Sequence, residues 1–271
     1  MRIDLSIKLT SYNVKDLFDN FDDPIKQDGP PKSDKLKKDL AGILKNLNSD
    51  IIALQEVENE QILNEVLSIA GLKDKYHVFV GKSDIRGIAC ALLIDKKYPV
   101  KSYIIHDDQT FARPPVEAIV ELSPGFEVRV FSVHFKARMD EYSVSKRIKE
   151  AQRTIEIAKS KNIPTIIMGD YNDLPQSTVS KIFEENGFID VRSIDKQSKD
   201  VDLPTFYRLV IPFVDIAIKS NIIDYIRVTN DLSNFVIQGS FDVLESREDQ
   251  RVIRVSDHRP LSIKLNITKK E

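Results

Sequence analysis

Asp50-Ile-Ile-Ala-Leu-Gln-Glu56 and Pro164-Thr-Ile-Ile-Met-Gly-Asp170 are the two stretches on which the reading of this chain turns. Each is a short apolar run that ends in a carboxylate. Runs of this length bounded by polar residues read as strands buried on both faces. Before the first, Leu36, Leu40, Ile43, Leu44 and Leu47 recur on a 3.6-residue period, with Ser33 or Asp34 as N-cap. Before the second, Val144, Ile148, Ala151, Ile155 and Ala158 do the same. Two such halves facing each other would bring both carboxylates to one edge.

Outward from these stretches, helical and strand-like segments alternate to both ends. Ile3 to Leu9 has period two and leads into Ser11, Tyr12 and Asn13. Ile62, Leu63, Val66, Leu67 and Ala70 form a second helical stripe that stops at Gly71. Strands are expected at 76–80, 88–94, 100–105, 116–122 and 127–133, a spacing that argues for antiparallel sheet in the middle of the chain. A short helix through Val179, Ile182 and Phe183 should end at Gly187, with Ser177 or Thr178 as its cap. Further strands are expected at 214–218, 223–229, 234–244, 252–255 and 260–267. The layered solution that buries so many apolar strands is an α/β (α+β) fold: a four-layer α/β/β/α sandwich, two mixed sheets face to face with helices outside. No linker composition divides the chain, so one domain over 1–271 is expected.

Composition bounds the partners. A hydrophobic content of 41% over 271 residues suffices for a sizeable core. The 40 Lys and Arg nearly balance 42 Asp and Glu, so the net charge of −2 provides no general attraction for nucleic acid, and a polyanion must be held by local charge and metal. The single cysteine, Cys90, lies inside an apolar run and reads as a small buried hydrophobe. The N-terminus has no leader pattern and no run reaches transmembrane length, so a soluble cytoplasmic protein without a membrane or obligate protein partner is the expectation.

Asn13, Glu56, His134, Asp170, Asn172, Asp257 and His258 each follow an apolar run and should therefore sit at strand ends. Oxygen and nitrogen ligands gathered in this way point to metal-assisted chemistry on a phosphate. Hydrolysing a phosphodiester requires neutralised charge, an activated water and a stabilised alkoxide, and Mg²⁺ held by carboxylates serves the first and third needs. His77 and His106 lie outside any such pattern and read as structural or solvent-facing.

The segments Ser11-Tyr-Asn13-Val, Ala53-Leu-Gln-Glu56-Val, Ser132-Val-His134, Met168-Gly-Asp170-Tyr-Asn172-Asp and Val255-Ser-Asp257-His258-Arg-Pro resemble the ordered motif series of the endonuclease/exonuclease/phosphatase superfamily. The resemblance covers residues 11 to 264. Tyr12-Asn-Val-Lys-Asp-Leu-Phe18 and Ser83-Asp-Ile-Arg-Gly87 are similar to its nuclease branch, related to deoxyribonuclease I and to bacterial and archaeal secreted-type nucleases. The resemblance implies a single catalytic domain in which Glu56 binds Mg²⁺ or Mn²⁺, with Asn13 and Asp257 nearby or acting through water. It implies that Asp170 orients or deprotonates water, with Asn172 holding it and a phosphate oxygen. His258 would donate to the scissile phosphate and needs a carboxylate behind its other nitrogen. Asp215 is the expected partner, although Phe213 stands where the family usually has a basic residue, and Asp224 is the rival. His134 would be a second imidazole, where abasic-site enzymes usually carry asparagine, with Asp84 as its partner. Arg113, Lys136, Arg138 and Arg86 would attract phosphate without reading sequence. Glu58 stands where deoxyribonuclease I carries a DNA-contacting arginine, so that groove-binding mode is not assumed. Phe111, Tyr142 and Tyr171 are candidates for stacking bases. The expected activity is a metal-dependent nuclease cutting DNA, with RNA as a further substrate. Phosphomonoester or lipid and inositol head-group hydrolysis is the alternative, and a noncatalytic binding module a third reading.

Overall fold

The computed structural model describes residues 4–210 and 217–268. The first half of the chain runs β1 (Asp4–Leu17), α1 (Asp34–Leu47), β2 (Ile51–Val57), α2 (Glu60–Ala70), β3 (Tyr76–Val80), β4 (Ala89–Asp95), β5 (Val100–Ile105) and β6 (Val116–Ser123). Next come β7 (Phe126–His134), α3 (Glu141–Lys159), β8 (Thr165–Asp170), α4 (Thr178–Glu185), β9 (Phe188–Asp190) and α5 (Val191–Ile194). The last part contains β10 (Phe206–Val210), β11 (Ala217–Asn221), β12 (Asp224–Thr229), α6 (Asn230–Ser233), β13 (Asp242–Val243), α7 (Arg251–Val255) and β14 (Leu261–Thr268).

Twelve of these strands build two six-stranded sheets, in the orders β13-β14-β1-β2-β4-β3 and β5-β6-β7-β8-β12-β9, while β10 and β11 form a separate hairpin. Each sheet is mixed. Its one parallel pair, β1 with β2 or β7 with β8, is joined by a long helix, and its other pairs are antiparallel. The unit β1-α1-β2 thus corresponds to β7-α3-β8. A parallel pair needs such a crossover, which leaves both strand exits at the same end of the sheet.

Alternation along the strands distributes the core into three layers. Ile51 and Ala53 of β2 meet Ile166 and Met168 of β8 between the sheets. On their other faces, Ile52 and Leu54 pack with residues of α1 and α2, and Phe131, Val133 and Ile167 pack with residues of α3. The result is the expected α/β/β/α sandwich. Ser33 caps α1 through the Leu36 N–H, Gly71 ends α2 at a φ of +70°, and Ser177 caps α4 through the Ser180 N–H.

Two expected strands differ, and a third is described only in part. Residues 252–255 are helical because Val252 and Val255, three apart, both enter the layer beneath α1, a spacing that suits a helix turn and not a pleat. Of 234–244, only Asp242–Val243 pairs as a strand, and the chain before it turns through Gly239 at a φ of +76°. Within 214–218, residues 214–216 lie outside the described residues, and β11 starts at Ala217.

Candidate active site

Both β1 and β2 break their register at the same level, β1 between Asn13 and Leu17 and β2 between Gln55 and Val57. Glu56 adopts a φ of +64°, and Lys15 and Asp16 adopt +49° and +46°. Left-handed backbone at residues other than glycine costs roughly 1–2 kcal/mol each, so surrounding contacts must hold it. Here the Glu56 carboxylate accepts the Asp16 N–H at 3.0 Å and the Asn13 amide at 3.3 Å. The Asn13 amide also reaches Asp170 Oδ2 at 3.1 Å, and its oxygen accepts the Lys15 N–H at 2.9 Å. Asn13 therefore links the carboxylates contributed by the two halves.

On the second half, Gly169 has a φ of +155°, and a Cβ there would stand 1.9 Å from the Val133 carbonyl oxygen. The close approach of β7 to β8 puts His134 opposite Asp170 in register. His134 Nε2 lies 3.4 Å from Asp170 Oδ2 and 4.0 Å from Glu56 Oε1. Asp170 is also turned back on its own chain, accepting the Asn172 N–H at 2.8 Å. The Asn172 side-chain amide donates to the Phe135 carbonyl at 3.0 Å, which fixes the loop after β8 against the end of β7.

His258 approaches Asp170 from the third side, with Nε2 3.7 Å from Oδ2. Its Nδ1 is held by Asp224, at 2.9 and 3.1 Å from the two carboxylate oxygens. Asp224, the rival of the two expected partners, therefore stands behind His258. Asp215 lies outside the described residues, whereas the antiparallel pairing of β12 with β8 sets Asp224 directly opposite Asp170. The ring of Phe206 lies against His258 at 5.0 Å, and the Thr205 hydroxyl accepts the N–H groups of Ile223 and Asp224.

Burial and charge divide the protonation states. Burial opposes the His258 cation, but Asp224 and Asp170 outweigh it and push its pKa up to about 10. Burial, reinforced by the Asp224 charge and partly offset by His258, raises Asp170 to about 7. His134 moves the other way: burial and then the positive charges of Arg113 and His258 hold it well below the usual histidine range. It is a neutral imidazole whose Nε2 faces two carboxylates, which favours the proton on that nitrogen. Its Nδ1 is buried without a partner among the described residues. The expected Asp84 pairing is therefore not made; Asp84 instead stands 3.6 Å from Arg113.

A hard cation fits the first-half side of the site. Glu56 and Asp16 crowd one another so that burial and then the Glu56 charge raise the Asp16 carboxyl. Asn13 and Glu56 offer oxygen donors, and Asp257, a third of its side chain exposed, is matched among the described residues only by Lys15 Nζ at 3.1 Å. A cation would relieve this concentration of negative charge. Asp170, Asp224 and His258 also have ligand-type atoms within 4.8 Å of one another. Their hydrogen bonding suits a different role, because Asp224 is committed to Nδ1 and all three are buried.

The basic candidates separate. Arg113 is buried, with Nε and Nη2 donating to the carbonyls of His134 and Phe135, so it braces the end of β7. Arg86 is exposed and pairs with Asp16 at 3.1 Å. Lys136 is half-buried and Arg138 exposed on the loop that leaves His134. Phe111 and Tyr171 belong to the layer against α3, Tyr171 wedged 5.0 Å from Phe135, Phe183 and Tyr225, so neither can stack a base; Tyr142 is exposed. His106 is bonded to Glu117 at 2.8 Å, and His77 stacks near Phe79. Asp16, Lys32 and Ser256 are site neighbours that sequence reasoning missed. Among the described residues no helix is long and apolar enough to cross a membrane.

The family model described as "Endonuclease/Exonuclease/phosphatase family" matches residues 11–258. No curated protein matches the sequence. Among solved structures, a family protein from Leptotrichia buccalis superposes with a TM-score of 0.70 at 17% identity, covering 96% of this chain and 100% of that one. One from Bacteroides vulgatus gives 0.68 at 18%, covering 98% and 100%. TDP2 from Caenorhabditis elegans gives 0.65 at 17%, covering 97% of this chain and 75% of its own.

Proposed function

The chain belongs to the endonuclease/exonuclease/phosphatase family of hydrolases, and on that premise we propose that it is a Mg²⁺- or Mn²⁺-dependent nuclease hydrolysing phosphodiester bonds of DNA, with RNA as a further substrate. One observation carries this reading: Asn13, His134 and His258 converge from three directions to within 3.7 Å of Asp170 Oδ2. A carboxylate with a pKa near neutrality, flanked by a charged and a neutral imidazole, suits attack of water on a phosphate.

Asp170 takes the proton of the attacking water, its Oδ1 kept in place by the Asn172 N–H. His258, charged because Asp224 stands behind it, donates from Nε2 to a non-bridging phosphate oxygen. His134 donates from Nε2 to the same group without adding charge. Glu56, with Asn13 and Asp257, would hold the metal. When bound, it supplies positive charge for the phosphate and the departing alkoxide. Lys136 and Arg138, on the loop after His134, are the cations for the neighbouring backbone phosphates.

The test is a substrate panel with the purified protein in Mg²⁺ and Mn²⁺: supercoiled plasmid, linear duplex, single strands, RNA, small phosphomonoesters and head-group diesters. Cleavage of nucleic acid is expected, and its absence alongside hydrolysis of a small ester would overturn the nuclease reading. Asp170→Asn should lower turnover by about 10²–10⁴-fold with folding retained, as judged by circular dichroism. Near-normal turnover would remove Asp170 from the proton-accepting role.

A further inference from the structure

Lys32 is 8% exposed, yet its ammonium makes no ion pair with a carboxylate among the described residues. Its Nζ donates instead to three main-chain carbonyls: Val14 at 3.0 Å, Val255 at 3.1 Å, and Lys15. An ammonium offers three donors, and here all three are used. The main chain of Lys32 is anchored as well, its N–H donating to the Phe18 carbonyl at 3.0 Å. Burial lowers the Lys32 pKa to about 8, with the charges of Asp16 and Glu56 opposing the fall.

The three carbonyls belong to two segments distant in sequence. Val14 and Lys15 follow Asn13 and lead into the left-handed turn that presents Asp16 to Glu56. Val255 ends α7 and precedes Asp257 and His258. Ser256 makes a parallel tie between the same segments, its hydroxyl donating to the Asn13 carbonyl at 2.7 Å and accepting the His258 N–H at 3.0 Å.

We propose that Lys32 is a positioning residue for the metal site, clasping the exit of β1, which carries Asn13, to the segment that carries Asp257. The inference rests on the metal site proposed above. It makes a prediction of sign. A buried cation near Glu56 and Asp257 repels a second cation, so Coulomb's law alone says that removing it strengthens metal binding. Loss of the clasp leaves three carbonyls unpaired and frees the strained turn, which weakens binding by the 10–100-fold typical of lost supports behind metal ligands.

Mn²⁺ binding to the protein without substrate, measured by the electron paramagnetic resonance signal of free Mn²⁺, decides between them. Lys32→Met should bind Mn²⁺ at least tenfold more weakly than the unaltered protein, and Lys32→Arg, which keeps charge and donors, should recover most of the loss. Equal or tighter binding by folded Lys32→Met would overturn the proposal. Should that variant not fold, Ser256→Ala is read in its place, with weaker binding expected and unchanged binding overturning. Glu56→Gln is measured in parallel and should lose the site. If it binds normally, the metal site itself fails and the positioning role with it; if only Lys32→Met binds normally, the metal site stands.

Discussion

Asp224 and Gly169 show how single residues set the chemistry of the site. The Asp224 carboxylate, fully buried, is the strongest support of the His258 cation. Because the folded-state pKa of His258 is raised, its contribution to stability is complete below the ordinary histidine value of about 6.5 and is lost as pH rises through about 10. In the proposed mechanism the imidazolium is also the form that donates to phosphate. Asp224→Asn should therefore lower turnover on the order of a hundredfold and move the alkaline fall of the pH–rate profile to lower pH. An unmoved alkaline limb would show that His258 is not the group titrating there. Gly169 acts through geometry alone. With a φ of +155° and 1.9 Å available to a Cβ before the Val133 oxygen, Gly169→Ala should cost about 3 kcal/mol or more in urea denaturation, by forcing β7 and β8 apart beneath His134 and Asp170. The polar residues themselves were legible because each ends an apolar run. The Asp224 partnership was not, since it depends on the register of β12 against β8, and both Asp215 and Asp224 follow apolar residues in the sequence.

Elements are held to one another by buried polar ties as well as by apolar layers. Glu117 of β6 and Arg129 of β7 form a bidentate pair at 2.7 and 2.8 Å, both nearly inaccessible to solvent. Arg129 also donates to the carbonyls of Ile157 and Ala158, in the last turn of α3, where a cation is favoured by the helix dipole. Burial opposes ionisation of Glu117, but His106 and Arg129 outweigh it and push its pKa down to about 2. A depressed carboxylate contributes stability that is full above its unfolded value of about 4.3 and is lost as pH falls through about 2. Glu117→Gln should accordingly destabilise the protein by about 3 kcal/mol at pH 7, because it leaves a buried guanidinium unpaired. The gap from the unaltered protein should narrow between pH 4.3 and pH 2. A gap that stays constant over that range would deny the pair its role. The same level of organisation explains the misread 252–255 segment. Its β-branched residues favour a strand locally, but Val252 and Val255 have a layer to enter beneath α1, and Arg254 reaches Asp39 on that helix.

At the scale of the whole molecule, the legible part of the fold is the repeated helix-then-strand plan, because apolar periodicity survives in any single sequence. The illegible part is what the facing of the two halves creates. Asn13 bridging Glu56 to Asp170 over 43 and 157 residues of separation, or Lys32 reaching Val255, leaves no local trace. The site lies where strand exits of both sheets meet, so its negative charge is assembled only on folding. A divalent cation that binds this assembled cluster binds the native state and not the unfolded chain, and must stabilise the former by RT ln(1 + [M]/Kd). At a free Mg²⁺ or Mn²⁺ concentration 100 times the dissociation constant this amounts to about 2.7 kcal/mol, which for a chain of this length raises the melting temperature by roughly 5 °C. Scanning calorimetry across a metal titration should show that rise in the unaltered protein. Glu56→Gln should melt at the same temperature with and without metal, since its carboxamide offers neither the charge nor the second oxygen. A rise of equal size in both would place the cation elsewhere on the molecule and separate metal binding from the meeting of the two sheets.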